Sequence, residues 1–308
     1  MGIARSINPV TEATERTPGG AILMDGNRLR DEIVARLGAE IAAAGSPPVC
    51  LATVLVGDDG PSQRYVRNKH IQAAKAGMVS RNEILPASAG QSRVADVVAG
   101  LAADPSVHGI LVQSPLPTGY DEEAILRLIP GDKDVDGLTT ESMGRLMRGL
   151  PGLVGCTPLG VLRLLERYGV PTSGQRVVVI GRSMLVGLPL SVLLARKGID
   201  ATVTIAHSRS GDVADLCRGA DILVGAAGVP RMITAAHVKP GATEIDVGIS
   251  RTDAGIVGDV DFDAVQAVAG AITPMPGGTG PMTIACLLEN TLTAARLQGA
   301  FPDRASGL

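Results

Sequence analysis

Tyr65 and Lys69 stand four residues apart in Ser62-Gln-Arg-Tyr65-Val-Arg-Asn-Lys69, directly after the turn Gly57-Asp58-Asp59-Gly60. On a helix this spacing puts phenol and amine on one face, where an amine can serve as a proton carrier. By itself the pair reads at least as readily as an amphipathic helix with a snorkelling lysine. Two further segments strengthen the chemical reading: Val112-Gln113-Ser114-Pro115-Leu116-Pro117, and Lys133-Asp134-Val135-Asp136-Gly137. In an open parallel sheet, ligands collect beyond the carboxyl ends of strands, where Gln113 and the turn before Tyr65 both fall. The alternatives are ordinary: Gln113 can satisfy loop backbone, and Asp134 and Asp136 can be turn formers.

A second group of residues suits a nucleotide. The apolar run Gln175-Arg-Val-Val-Val-Ile180 leads into Gly181-Arg182-Ser183-Met184-Leu185-Val186-Gly187-Leu188-Pro189. A strand, a glycine turn and a helix N-terminus let backbone N–H groups face a pyrophosphate. The spacing departs from the strict GxGxxG fingerprint, and a plain strand-to-helix turn is the competing reading. The next strand ends in His207-Ser208-Arg209-Ser210, where NAD-binding folds usually carry an acidic residue for the ribose hydroxyl. A 2′-phosphate would be repelled by a carboxylate but welcomed by Ser208 with Arg182 or Arg209, so NADP is favoured over NAD. Finally, Pro274-Met-Pro276-Gly277-Gly278-Thr279-Gly280-Pro281-Met282-Thr283 forms a rigid loop that lets backbone approach a flat ligand.

The elements that must position these residues follow from hydrophobic period. Residues 27–44 read as a helix, 50–56 as a buried strand, 62–76 as a helix, 81–85 as a strand, 92–102 as a helix and 109–113 as a strand. A short helix over 143–147 follows, and then a longer one with Thr157 as N-cap and Pro158 at the first helical position. Strands are expected at 176–180, 201–206, 221–225, 244–247 and 271–273, and a closing helix at 282–297. Alternating strands and helices imply crossovers and mainly parallel sheets. The expected fold class is α/β in two domains, an N-terminal α/β domain and a Rossmann-like dinucleotide-binding domain, with a cleft between them. Residues 1–20 are expected to be a mobile extension. The first domain is expected from 21–156 plus 283–308, and the nucleotide domain from 157–282.

Composition narrows the classes. A chain of 308 residues suits two domains. A net charge of −3 and only 2% aromatic residues leave neither field nor stacking surface for nucleic acid. Cys50, Cys156, Cys217 and Cys286 are scattered without CxxC spacing, which indicates neither a zinc site nor a disulfide framework and fits a cytoplasmic setting. No stretch is long and apolar enough to span a membrane.

Taken together, the ordered motifs closely resemble the methylenetetrahydrofolate dehydrogenase/cyclohydrolase family over residues 21–300. They are Tyr65-Val-Arg-Asn-Lys69, Val112-Gln113 with Pro115-Leu116-Pro117, Lys133-Asp134-Val135-Asp136-Gly137, Cys156-Thr157-Pro158, Gly181-Arg182-Ser183 with Val186-Gly187 and Pro189, His207-Ser208, and Pro276-Gly277-Gly278 with Gly280-Pro281-Met282-Thr283. The resemblance implies NADP-dependent oxidation of 5,10-methylenetetrahydrofolate to the methenyl form, then hydrolysis to 10-formyltetrahydrofolate, in a homodimeric enzyme of one-carbon metabolism. It also implies that Lys69 is the base or proton shuttle, that Tyr65 and Gln113 position it and that Asp136 binds the pterin. By the same likeness Arg182 and Ser208 would grip the NADP phosphate, and the Pro276 loop would lie beside folate and nicotinamide. Departures are Ser114 for the usual Leu, Thr139-Thr140 after the aspartate loop, and Thr279 for the usual Val.

Hydration of the methenyl cation needs such a shuttle, because attacking water loses a proton while a ring nitrogen gains one. An ordinary lysine, with a pKa of about 10.4, is almost wholly protonated at neutral pH; burial and a nearby substrate cation would both lower that value. Other readings are a two-domain NADP-dependent dehydrogenase of another small substrate, and a catalytically silent folate- or nucleotide-binding regulator. Short-chain dehydrogenases place their Tyr and Lys after the nucleotide turn, whereas here the pair precedes Gly181.

Overall fold

The computed structural model describes residues 15–253 and 255–301. In chain order the first elements are β1 (Ile22–Leu23), α1 (Gly26–Ala43), β2 (Cys50–Val56), α2 (Gly60–Lys75), β3 (Val79–Leu85), α3 (Gln91–Ala103) and β4 (Gly109–Val112). Then come α4 (Glu122–Leu126), α5 (Thr140–Met147), α6 (Cys156–Arg167), β5 (Arg176–Ile180), α7 (Gly187–Ala195), β6 (Thr202–Ala206), α8 (Val213–Arg218) and β7 (Ile222–Gly225). The last are β8 (Thr243–Asp246), β9 (Ser250–Thr252), β10 (Gly255–Val257), α9 (Phe262–Val265), β11 (Ala271–Ile272) and α10 (Thr279–Leu297).

Among the described residues, one unit takes 31–156 together with 284–301; the other takes 15–30 together with 157–283. In the first unit β2 is the middle of a parallel sheet ordered β3-β2-β4. All seven β2 residues are buried, as a strand covered on both faces requires. Val54 and Val56 join Val94, Val98 and Leu101 of α3 and Ile110 and Val112 of β4 in one apolar core. Asp59 caps α2 by accepting a hydrogen bond from the Ser62 N–H at 2.8 Å. The helix that carries Tyr65 and Lys69 therefore starts at a fixed point just past the β2 strand end.

The second unit holds a parallel sheet ordered β1-β11-β8-β7-β5-β6. Strand β5 lies between β6 and β7, so its carboxyl end stands where the strand order reverses, the usual ligand position in open α/β sheets. The hairpin β9–β10 is a separate antiparallel pair.

Three expectations need correction. Residues 15–20 are not a mobile extension: Arg16 bridges Ile22, Thr17 is buried, and Ile22–Leu23 pair with Ala271–Ile272, so the stretch up to residue 30 belongs with the second unit rather than the first. Residues 1–14 of the expected extension lie outside the described residues. Thr157 does not cap α6, which begins at Cys156; its hydroxyl instead meets that of Thr283 at 3.2 Å. The two-residue β1 and the three-residue strands of the β9–β10 hairpin are too short to show a hydrophobic period.

Two buried carboxylates on β8 have opposite surroundings. Asp246 accepts from the N–H groups of Gly248, Asp259 and Val260, each at 3.0 Å, and burial still pushes it up to about 6. Glu244 is fully buried in the row that contains Leu223 and Ile272, and neither of its oxygens has a hydrogen-bond partner. Burial first, and the neighbouring Asp246 second, hold the Glu244 carboxyl well above its ordinary value. The folded state thus favours the neutral acid, and its contribution to stability, whole below the ordinary carboxyl pKa, is lost as pH rises from there through the raised one. Glu244→Met should stabilise the protein by about 1–3 kcal/mol at pH 8, and by less at pH 5. Urea unfolding at the two pH values measures this, and a gain that does not grow with pH would contradict it.

Candidate active site

In the first unit, α2 brings Lys69 and the end of β4 brings Gln113 to one spot. Lys69 is only 3% exposed, and its ammonium donates to Gln113 Oε1 at 3.0 Å. It also lies 4.4 Å from the centroid of the Tyr65 ring, within the range of a cation–π contact. Gln113 is held in turn: its backbone N–H bonds the Val54 carbonyl at 2.8 Å, and its amide nitrogen donates to the Ser114 carbonyl at 2.7 Å. Ser114 hydrogen-bonds the Glu122 carboxylate, which also takes the Leu116 N–H at 3.0 Å.

The Lys133–Gly137 segment divides its labour. Lys133 donates to the carbonyls of Ala102 and Asp104 at 2.9 and 2.7 Å, tying the loop to the end of α3. Asp134 accepts from the N–H groups of Gly137, Leu138 and Thr139 at 3.0, 3.3 and 2.8 Å. Both are turn builders, the ordinary reading of such residues. Asp136 is left to interact with Lys69 and with the Cys156 thiol. Gly137 has φ +68°, and a Cβ there would lie 2.4 Å from the Gly155 nitrogen, so only glycine closes this turn.

Burial sets the charge states. It lowers the Lys69 pKa below the ordinary lysine value, against the opposing pull of Asp136 and then Cys156. Burial raises the Asp136 carboxyl, against the opposing effect of Lys69. It also pushes the Cys156 thiol well up, leaving that group a neutral hydrogen-bond donor. Beneath α2 a further network was not foreseen: the His70 Nε2 and Thr53 Oγ1 lie 2.8 Å apart, and Thr53 donates to Asn82 Oδ1 at 3.0 Å. A threonine inside an apolar strand run was the available sign.

In the second unit, Gly181 ends β5 with φ +129°, and a Cβ there would come within 2.1 Å of the Ala226 carbonyl oxygen. At Gly187, the first residue of α7, a Cβ would come within 2.2 Å of the Gly181 carbonyl oxygen. Ser183 Oγ accepts from the N–H groups of Val186 and Gly187 at 3.1 and 3.4 Å, capping the helix from outside it. Arg182, Ser208 and Arg209 are all exposed. The turn after β6 closes on itself, with Ser210 donating its N–H to the His207 carbonyl at 2.8 Å and His207 its N–H to Ser210 Oγ at 3.0 Å. Of the glycine loop, Gly277 has φ +116° and its carbonyl takes the N–H groups of Gly26 and Asn27 at 2.9 and 3.2 Å. Gly278 is buried and bonds the Pro274 carbonyl at 2.8 Å, while Pro276 is exposed. Thr279 donates its hydroxyl to the Asp246 carbonyl at 2.8 Å.

The family model described as the tetrahydrofolate dehydrogenase/cyclohydrolase catalytic domain matches residues 24–136, and that of the NAD(P)-binding domain matches residues 155–299. A protein of Frankia alni named bifunctional protein FolD 2 is 54% identical over 279 residues, covering 90% of this chain and 96% of that protein. The bifunctional FolD methylenetetrahydrofolate dehydrogenase/cyclohydrolase of Campylobacter jejuni aligns with a TM-score of 0.87 at 40% identity, over 90% of this chain and 99% of that one. The Trypanosoma brucei enzyme, solved with NADP and an inhibitor, aligns with a TM-score of 0.85 at 38% identity, over 92% and 99% of the two chains.

Gln113 Oε1 is a neutral acceptor that favours the ammonium form of Lys69. Gln113→Leu should therefore lower the Lys69 pKa further, as read from the chemical shift of the isotopically dimethylated amine across a pH titration. An unchanged or higher value would show that the amide does not stabilise the charge.

Proposed function

The chain belongs to the tetrahydrofolate dehydrogenase/cyclohydrolase family, and from that membership we propose the part each residue plays in its two reactions. It is a bifunctional enzyme that oxidises 5,10-methylenetetrahydrofolate to the methenyl form with NADP and hydrolyses the product to 10-formyltetrahydrofolate. The observation that carries the assignment of roles is the nearly water-free Lys69 amine, held by Gln113 and Tyr65 with Asp136 close by.

Lys69 is the proton carrier. Its lowered pKa makes the neutral amine accessible, and that amine takes the proton from water as it attacks the methenyl carbon. The resulting ammonium returns a proton to the ring nitrogen that leaves. A cationic substrate beside Lys69 lowers the pKa further, so the substrate helps to prepare its own base. Gln113 and Tyr65 hold the amine in place in both charge states. Asp136 accepts hydrogen bonds from the pterin and orients the ring.

The second unit fits NADP. The close approach of Gly181 to Ala226, and of Gly187 to Gly181, keeps side chains away from the turn where a pyrophosphate meets the α7 N-terminus. Ser183 and Val186 shape that turn, and exposed Arg182, Ser208 and Arg209 supply donors for a 2′-phosphate where a carboxylate would repel it. Bound there, the dinucleotide would supply the hydride acceptor for the first reaction. Pro276, Gly277 and Gly278 form a side-chain-poor wall for the flat rings of substrate and cofactor.

We further read the enzyme as a cytoplasmic homodimer. All four cysteines are buried free thiols, which suits a reducing compartment. Ile249 just before β9 and Ile256 on β10, exposed by 63 and 48%, are apolar groups that a second copy would cover. No helix among the described residues is long and apolar enough to cross a membrane.

The hydrolysis rate should rise with pH through the lowered Lys69 titration and then level. Lys69→Met should remove that limb and slow methenyl hydrolysis by about 10²–10⁴-fold; a folded mutant that hydrolyses at the parent rate would end the assignment. Arg182→Ala combined with Ser208→Ala should raise the KM for NADP by about 10- to 100-fold while leaving that for NAD nearly unchanged. Equal losses with both dinucleotides would instead place these residues away from the 2′-phosphate.

A further inference from the structure

Asp136 sits in a loop that is bridged to β4 through Asp134 and Ile110 and lies against the segment that leads into α6. Residues 134–137 lie against 154–156, as the close approach of Gly137 to Gly155 shows, and no ladder joins the two segments. The tie between the two segments must come from side chains, because a carboxylate that orients a ring tolerates little displacement. The residue that spans them comes from α10. The Asn290 side chain, in a residue only 5% exposed, places Nδ2 at 2.8 Å from the Val135 carbonyl oxygen and 2.8 Å from the Val154 carbonyl oxygen. An amide nitrogen carries two hydrogens, and here each is used on one loop.

The two carbonyls flank the reacting groups: Val135 immediately precedes Asp136, and Val154 stands two residues before Cys156. The Cys156 thiol also donates to the Val135 carbonyl at 3.2 Å. That carbonyl therefore has two donors, one from each neighbouring segment. Val135 has no room to retreat, since a Cβ on Gly109 of β4 would lie 2.5 Å from its Cγ1. Asn290 itself stands on a well-held helix: its neighbour Glu289 pairs with Arg36 of α1, and Thr291 bonds the Leu287 carbonyl at 2.8 Å.

We infer that Asn290 is a positioning residue for the folate site, its carboxamide clamping the loops on either side of Asp136 and Cys156 so that the Asp136 carboxylate meets the pterin in register. Asn290 touches neither substrate nor cofactor. This rests on the assignment of Asp136 to the pterin made above, and the experiment separates the two ideas. Kinetics of the full-length enzyme are measured for Asn290→Ala, Asn290→Asp and Asp136→Asn, with KM determined separately for methylenetetrahydrofolate and for NADP.

Asn290→Ala removes both donors, and Asn290→Asp keeps the shape while replacing the amide that supplies them. In both, the KM for the folate substrate should rise about tenfold or more, with the KM for NADP within about twofold of the parent and the circular dichroism unchanged. Asp136→Asn should raise the folate KM in the same direction. If Asp136→Asn raises it and both Asn290 variants match the parent, the clamp is refuted while the role of Asp136 stands. If Asp136→Asn itself matches the parent, the role of Asp136 falls and the inference with it. Loss of folded protein in both Asn290 variants, with NADP binding lost as well, makes Asn290 a folding residue and equally overturns the inference.

Discussion

A lysine ammonium that has lost nearly all contact with water must be compensated by its surroundings or give up its proton. At Lys69 the surroundings compensate only in part: one amide oxygen, the face of one phenol ring and a carboxylate whose own ionisation is disfavoured by burial. Richer compensation would fix the lysine in its charged form. With none, the amine would titrate before any substrate arrived. The site lies between these limits, and much of the first unit serves to keep it there. The Asp59 cap sets where α2 begins, and the Thr53, His70 and Asn82 network fastens the same helix to the sheet one residue past Lys69.

The polar residues around this group fall into those that build and those that remain available. Lys133 and Asp134 spend their hydrogen-bonding capacity on backbone groups, as does Asn290. Gln113 spends its nitrogen on backbone and keeps its oxygen for Lys69. The same economy holds in the second unit, where Ser183 serves the α7 N-terminus while Arg182, Ser208 and Arg209 stay exposed. Glu244 breaks this pattern, since its oxygens serve no neighbour, and the structure offers no functional reason for it.

The strand and helix alternation was legible because β2, β4, β5 and β7 are apolar runs and the helices have a clear period. Lys69, Gln113 and Asp136 were legible because they sit at strand ends and in a marked turn. What could not be read is where distant segments meet. Asp134 and Asp136 are indistinguishable by type and spacing, and only the N–H groups of residues 137–139 tell the turn builder from the carboxylate that faces Lys69 and Cys156. Asn290, on an apolar helix, looks like a tolerated polar residue until the carbonyls of Val135 and Val154 are seen beside it. Ile22 and Leu23 were assigned to the wrong unit because two residues cannot announce a partner at position 271.

Each unit is assembled from stretches that are remote in sequence, and this bears on how the protein is made. The β1–β11 pairing joins residues 22–23 to 271–272, and the Asn290 bonds join position 290 to 135. On a ribosome, the nascent chain would thus display the Lys69 region long before the residues that lock the Asp136 loop have emerged. Until then the apolar segment around Val135 and Val154 is uncovered, a period in which chaperones would find it and in which stalled translation would leave an aggregation-prone fragment.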